Sequence, residues 1–170
     1  MAEVTSRKDI QTVSSGDGDP WAAFRQIERL TLSLTQHYTH TLGKYSRFFI
    51  ELEQKRFLAT RCESCGRVCA PPRPLCPNCL QPTHWVELTG AGTVETYSVL
   101  HFSPGSNADV AALTTPYVLA YVLLDGASTL FPHLLRAEPE QVTIGMRVRI
   151  AYVDGPVEHP IHLMHFIPME

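Results

Sequence analysis

Cys62-Glu-Ser-Cys65-Gly-Arg-Val-Cys69-Ala-Pro-Pro-Arg-Pro-Leu-Cys76-Pro-Asn-Cys79 is the segment on which the reading of this chain turns. It holds two CxxC pairs, Cys62/Cys65 and Cys76/Cys79, separated by ten residues. A CxxC segment reverses the backbone within four residues and brings two sulfurs to one point. Two such turns therefore supply a closed four-sulfur tetrahedron, which zinc(II) accepts well. Gly66 follows the first pair and suits the left-handed backbone that closes such a turn. Pro71, Pro72, Pro74 and Pro77 disfavour helix between and within the knuckles. The expectation is a metal-holding zinc ribbon with Cys62, Cys65, Cys76 and Cys79 as ligands. A single iron fits the same shell, and spacing does not separate the two metals. Two disulfides would need an oxidising compartment. A redox CxxC would open a helix in a βαβ unit, whereas Gly and Pro flank these pairs. Four protein ligands leave no open position, so the metal is expected to be structural. Cys69 falls between the knuckles without a partner and reads as a small, half-buried hydrophobe.

The rest of the chain bounds what surrounds this segment. At 170 residues it is one ordinary domain, or one domain with a small metal-stapled annex. An apolar share of 44% suffices for a core, while 18% charged is low. A net charge of −3 gives no global attraction for nucleic acid. The longest apolar run is far short of a membrane span. The N-terminus lacks the basic-then-apolar order of a signal peptide, so a reducing cytoplasm, which keeps thiolates free for metal, is the expected location.

Before the ribbon, residues 1–18 are small and polar and read as a flexible tail. Residues 19–56 read as an arm of helix and strand. Asp19-Pro20 looks like a helix start, leading a short helix over residues 20–27 with Trp21 and Phe24 on one face. Leu30, Leu32 and Leu34 alternate with Thr and Ser, which predicts a strand over residues 30–41. Beyond Gly43, the residues Tyr45, Phe48, Phe49 and Leu52 fall at helical spacing, which predicts an amphipathic helix over residues 44–54 whose aromatic stripe faces the core. The ribbon itself is expected over residues 57–82. From residue 83 to the end the chain reads as short strands with turn signals between them, over residues 84–88, 93–102, 117–124, 128–135, 147–153 and 161–166. A loop is expected over 103–115 and a helical turn over 138–142. Residues 117–124 are continuously apolar, which predicts a central strand covered on both faces, and Asp125-Gly126 marks a hairpin. The pattern is that of a small antiparallel barrel.

These residues together resemble the DUF35 family, an acyl-CoA-associated OB-fold protein with a rubredoxin-like zinc ribbon. Arg47-Phe48-Phe49 with Leu52 is similar to the family's helix before the ribbon. Cys62-Glu-Ser-Cys65-Gly66, Pro71-Pro72-Arg73 and Cys76-Pro77-Asn78-Cys79 are similar to its knuckle signature. Gly92-Thr93-Val94 with Tyr97-Ser98-Val99, Pro116-Tyr117 before the strand ending at Asp125-Gly126, and Ile144-Gly145-Met146-Arg147-Val148 resemble its barrel strands. The likeness runs from about residue 45 to the C-terminus. Residues 38–49 are also similar to members paired with thiolases of aromatic-acid breakdown, such as benzoylsuccinyl-CoA thiolase. The resemblance implies a mainly β fold, a zinc ribbon followed by an OB-fold barrel. It also implies a helper role: a subunit that stabilises a thiolase-fold partner, which carries the catalytic groups, and that helps form the entrance for the CoA or acyl substrate. Cys69 departs from the pattern, where an aromatic or aliphatic residue is expected.

The chain's own chemistry agrees with a non-catalytic role. Its eight histidines pair with no recognisable nucleophile motif, and no GxSxG, HExxH or P-loop occurs. Cys69 has no base placed beside it. His162 and His165, read as lying on one strand, would face opposite sides; His101 and His133 are candidates for the barrel mouth. Catalytic residues are expected to be none. CoA phosphates call for cationic forks, and Arg61, Arg67 and Arg73 cluster around the knuckles as the candidate contacts. Zinc ribbons and OB-folds also occur in nucleic-acid-binding proteins, but lysine occurs only at positions 8, 44 and 55 here. Neither nucleic acid nor membrane is an expected partner.

Overall fold

Residues 7–12, 26–31, 38–39, 41–102, 114–157 and 159–169 are described by the structure, a computed structural model. The chain forms two units, residues 1–41 and 42–170. In the first, β1 (Arg7–Thr12) pairs antiparallel with β2 (Gln26–Thr31), Asp9 opposite Arg29 and Ile10 opposite Glu28. This corrects the reading of residues 1–18 as a flexible tail, because β1 lies within it. Gln26 and Ile27, expected to end a helix, belong to β2; a lone helical turn has no nucleus to stabilise it, whereas Ile27 and Thr31 favour extended backbone. The remainder of that helix lies outside the described residues. Of the strand expected over residues 30–41, Leu30 and Thr31 lie in β2, residues 38, 39 and 41 have no regular structure, and the rest lies outside the described residues.

The second unit begins with a 3-10 turn, Gly43–Tyr45, that runs into α1 (Ser46–Glu53). Phe48 and Leu52, four apart, are buried, while Arg47, exposed, and Glu51, half-buried, form an i,i+4 pair at 3.8 Å. The chain then enters a three-stranded sheet of order β4-β3-β5, with β3 (Phe57–Cys62), β4 (Val68–Cys69) and β5 (Thr83–Leu88). Phe57, Leu58, Ala59 and Thr60 are buried in succession, so β3 is covered on both faces. Phe57 meets Phe48 edge-on at 5.4 Å between ring centroids, as the aromatic stripe of the helix requires.

The last five strands close into a barrel of order β10-β8-β7-β6-β9, with β6 (Ala91–Leu100), β7 (Tyr117–Leu124), β8 (Leu130–Leu135), β9 (Arg147–Tyr152) and β10 (Met164–Pro168). Val94, Val118, Val122, Phe131, Val148 and Phe166 fill it. Gly92 is dictated by approach: a Cβ there would stand 2.6 Å from Leu123 O and 2.7 Å from Val122 Cγ1. The antiparallel expectation is corrected at the closure, where β10 runs parallel to β8. The final strand also starts later than expected. Pro160–Leu163 is a 3-10 turn, with His159 Nδ1 accepting from Ile161 N at 3.2 Å, so His162 and His165 stand on different elements. β7 is buried on its inner side only: Tyr121, on its outer side, is 39% exposed. Residues 103–113 of the expected loop lie outside the described residues.

Ribbon and barrel share one core. Phe57, Leu58, Ala59, Val68 and Ala70 belong to the same buried cluster as Val94, Val122 and Phe166. The hairpin from β7 to β8 grips the ribbon through polar contacts as well: Ser128 N donates to Val68 O at 2.8 Å and Val68 N to Ser128 Oγ at 3.1 Å. Thr129 Oγ1 accepts from Ala70 N and donates to Ala70 O, both at 2.8 Å.

His133 stands opposite Ala120, whose small side chain leaves room for the ring. It stacks on Phe131 at 6.1 Å and bonds through Nε2 to Ile161 O at 3.1 Å, while its Nδ1 has no hydrogen-bond partner among the described residues. Burial pushes its pKa down to about 4. The folded state thus favours the neutral ring, and its contribution is intact above the unfolded value of about 6.5. As the pH falls from there toward 4 the unfolded chain takes up a proton that the folded chain refuses. Stability should fall by about 3 kcal/mol across that window and level off below it. Urea melts from pH 7 to 4 check this, and His133→Phe should flatten that part of the curve.

Candidate metal centre

The two knuckles are built alike from the backbone up. Gly66 N donates to Cys62 O and Leu80 N to Cys76 O, both at 2.9 Å, and Cys62 N and Cys76 N reach Arg67 O and Gln81 O at the same distance. Each loop needs a left-handed residue after its second cysteine: Gly66 at φ 72° and Leu80 at φ 56°. Leucine pays about 1–2 kcal/mol for that conformation. The glycine was legible as the closing residue of the first turn; the leucine gave no such signal.

The result is four sulfurs facing one point. Cys62 Sγ lies 3.4 Å from Cys79 Sγ, Cys65 Sγ 3.6 Å from Cys76 Sγ and 3.9 Å from Cys79 Sγ, and all four lie within 4.8 Å of one another. A tetrahedron with metal–sulfur bonds of about 2.3 Å has edges of about 3.8 Å. A disulfide would need about 2.05 Å. The donor set therefore fits a tetrahedral thiolate-bound ion and not a pair of disulfides. Cys62 and Cys76 are buried, Cys79 is half-buried and Cys65 exposed.

The electrostatics ask for a cation. Backbone N–H groups of Asn78 and Cys79 turn toward Cys76 and hold its thiol down to about 6. Contact with the Cys62 sulfur pushes Cys79 up to about 11. The two thiols are thus pushed in opposite directions, one by hydrogen bonds that favour its thiolate and the other by a hydrogen bond that favours its protonated form. A divalent ion removes that conflict and releases protons as it binds. Cys69 lies outside the four-sulfur group, fully buried rather than half-buried, with burial raising its thiol pKa. It is a core residue.

The three arginines do not converge on one cleft. Arg73 lines a cleft of about 270 Å³ with Lys44, Tyr45, Trp85, Thr60 and Thr83. Arg67 lines a separate hollow beside Cys65, Gly66 and Asn78. Arg61, exposed on β3, lines neither. Lys44 is the cation that sequence reasoning missed, since it lies well before the ribbon, in the turn Gly43–Tyr45, whose direction only the fold reveals. Arg73 is fixed by two threonines: Thr60 Oγ1 accepts from Arg73 N at 2.8 Å and donates to Arg73 O at 3.0 Å, and Thr83 Oγ1 donates to the same carbonyl. Thr60 is 3% exposed. Thr60→Val keeps the shape and orphans the Arg73 N–H, so it should cost about 1–3 kcal/mol in a denaturant melt.

Residues 51–83 match the family described as ChsH2, rubredoxin-like zinc ribbon domain, and residues 85–153 match ChsH2, C-terminal OB-fold domain. A DUF35 domain-containing scaffold protein of Methanocaldococcus jannaschii is 34% identical over 102 residues, 59% of this chain and 70% of that one. A probable enoyl-CoA hydratase alpha subunit of Thermomonospora curvata is 33% identical over 113 residues, 65% of this chain; the match spans only 34% of that subunit. The solved Ltp2-ChsH2(DUF35) aldolase contains a chain similar to this one with a TM-score of 0.60 and 28% identity, covering 77% of this chain and 98% of that one.

Proposed function

Because this chain belongs to the DUF35 family, we propose that it is a non-catalytic accessory subunit of a heteromeric thiolase-fold enzyme. The enzyme would make or cleave carbon–carbon bonds in acyl-CoA thioesters. The observation that carries the reading is the near-complete span, 98%, of a chain in an aldolase named for two proteins. The hydratase alpha subunit among its relatives supports the acyl-CoA substrate class. Net charge of −3 argues against nucleic acid as the partner. No helix among the described residues is long and apolar enough to cross a membrane.

In this reading the resident ion is zinc(II), held by Cys62, Cys65, Cys76 and Cys79. Its closed thiolate shell gives it a structural role. Elemental analysis should return one zinc per chain; one iron per chain, with the visible colour of iron–thiolate bonds, would replace zinc by iron. The CoA phosphates meet Arg73 and Lys44 beside the Trp85 ring, while Arg61 and Arg67 stand outside the contact.

The test is co-expression with the thiolase-fold protein encoded nearest to it in the same genome. A stable complex, with turnover that the thiolase-fold protein alone lacks, is expected. In that complex Arg73→Ala and Lys44→Ala should each raise KM for the acyl-CoA about tenfold, and Arg61→Ala should leave it unchanged. An intact complex with unaltered KM in all three variants would remove the CoA contact. Failure to form any complex would remove the accessory role.

A further inference from the structure

Water on one side of a sheet and a core on the other normally produce alternating polar and apolar residues. β7 does not alternate. Val118, Ala120, Val122 and Leu124 are buried in the barrel, yet the residues between them, Tyr117, Leu119, Tyr121 and Leu123, are apolar too. Their partners on β8 continue the pattern: Leu134 faces Leu119, Pro132 faces Tyr121 and Leu130 faces Leu123. Cross-strand partners share a face, so these side chains form one uncharged outer surface. Tyr121 and Leu130 are each 39% exposed on it. At one end this surface runs into a groove of about 680 Å³ between Leu119, Pro132 and Leu134 on the barrel side and Val157 and Ile161 on the other. Arg136 stands on the groove, exposed. Among the described residues no carboxylate lines the groove, and none pairs with Arg136.

We propose that this outer face of β7 and β8, and not the ribbon, is where the chain docks its partner subunit. That subunit would present an apolar side chain to the groove and a carboxylate to Arg136. The inference rests on the accessory-subunit reading and adds the surface that reading lacks. Charge decides the kind of occupant. A second copy would meet this patch with the same patch, which carries no carboxylate, and would bury Arg136 without a counter-ion. A different protein with an acidic residue beside its apolar anchor satisfies both halves of the site. The apolar outer row of β7 is then a covered face in the assembly, which accounts for a strand whose sequence reads as buried on both sides.

The experiment uses the full chain and the same thiolase-fold protein, with affinity measured by titration and each free variant checked by its melting temperature. Tyr121→Asp should weaken binding more than about 100-fold and Arg136→Glu at least about tenfold. Ile144→Asp, at a site 69% exposed on a different turn, should stay within about twofold. Wild-type complex together with undiminished binding by Tyr121→Asp and Arg136→Glu would overturn the face and leave the accessory role standing. No complex with wild type would overturn the accessory role itself. An isolated chain that dimerises, and that Tyr121→Asp converts to monomer, would give the face to a second copy. If Tyr121→Asp melts early, Arg136→Glu decides alone, because its side chain is exposed and supports no core contact.

Discussion

Stripping the metal with a chelator, or replacing Cys76 by serine, should collapse the knuckles and lower the stability of the whole second unit. The backbone bonds that shape the two loops are few: Gly66 N to Cys62 O, Leu80 N to Cys76 O and their two counterparts. They enclose almost no apolar side chain. Leu75 and Leu80, on the second knuckle, are 52% and 73% exposed. A bound ion would therefore supply most of what holds these loops, since structural zinc in small peptides contributes on the order of 10–16 kcal/mol at neutral pH. That is comparable to the entire stability of a typical domain, about 5–15 kcal/mol. The loss does not stay local, because Cys62 ends β3, whose Phe57, Leu58 and Ala59 belong to the common core. Hydrogen exchange is the measurement. Amides of Gly66, Leu80, Cys62 and Cys76 should lose protection first, followed by β3 and β5 at lower denaturant than in the loaded protein. Identical exchange with and without metal would mean that the ribbon folds on its apolar contacts alone.

How far the sequence announced this arrangement depends on how local the cause was. The knuckles were legible because four residues and a glycine decide each turn. β6 to β10 were legible because runs of strand-forming residues, alternating or continuously apolar, and the Asp125-Gly126 turn are local signals. The helix before the ribbon was legible from Phe48 and Leu52. The N-terminal hairpin was not, because β1 and β2 are chosen by pairing with each other across an interval of thirteen residues, and neither RKDIQT nor QIERLT alternates in hydrophobicity. The parallel closure of β10 on β8 rests on one pairing, Phe166 with Leu135, which no window of sequence contains. The site divided in the same way. The cysteines were placed by spacing, whereas Arg61, Arg67 and Arg73 looked like one patch along the chain and point to different places in space. The apolar run of β7 gave its type correctly and misled about its covering, since periodicity cannot say whether the second cover comes from the same chain.

Phe131→Ala should be the most damaging single core substitution outside the metal ligands. The ring is 3% exposed and lies where three structural pieces meet. It meets Phe57 of the ribbon sheet at 5.1 Å and 83°, Phe166 of the closing strand at 6.3 Å, and Phe48 of α1 at 6.5 Å. Removing a buried phenylalanine costs about 3–5 kcal/mol in lost burial and residual cavity. Edge-on aromatic contacts add about 0.5–1.5 kcal/mol per pair. At about 2–4 °C per kcal/mol for a chain of this length, a fall in Tm of roughly 6–20 °C is expected. Phe102→Ala, at a ring 70% exposed, should stay within about 0.5 kcal/mol and serves as the control. Additivity carries the sharper test. Phe131 and Phe57 touch, so the double variant should deviate from the sum by about 0.5–3 kcal/mol. Because Phe57 opens the strand that ends at Cys62, Phe131→Ala should also weaken metal retention against a competing chelator. A chain that loses stability by the expected amount while holding its metal as tightly as wild type would show that ribbon and barrel, despite their common core, fold as separate pieces.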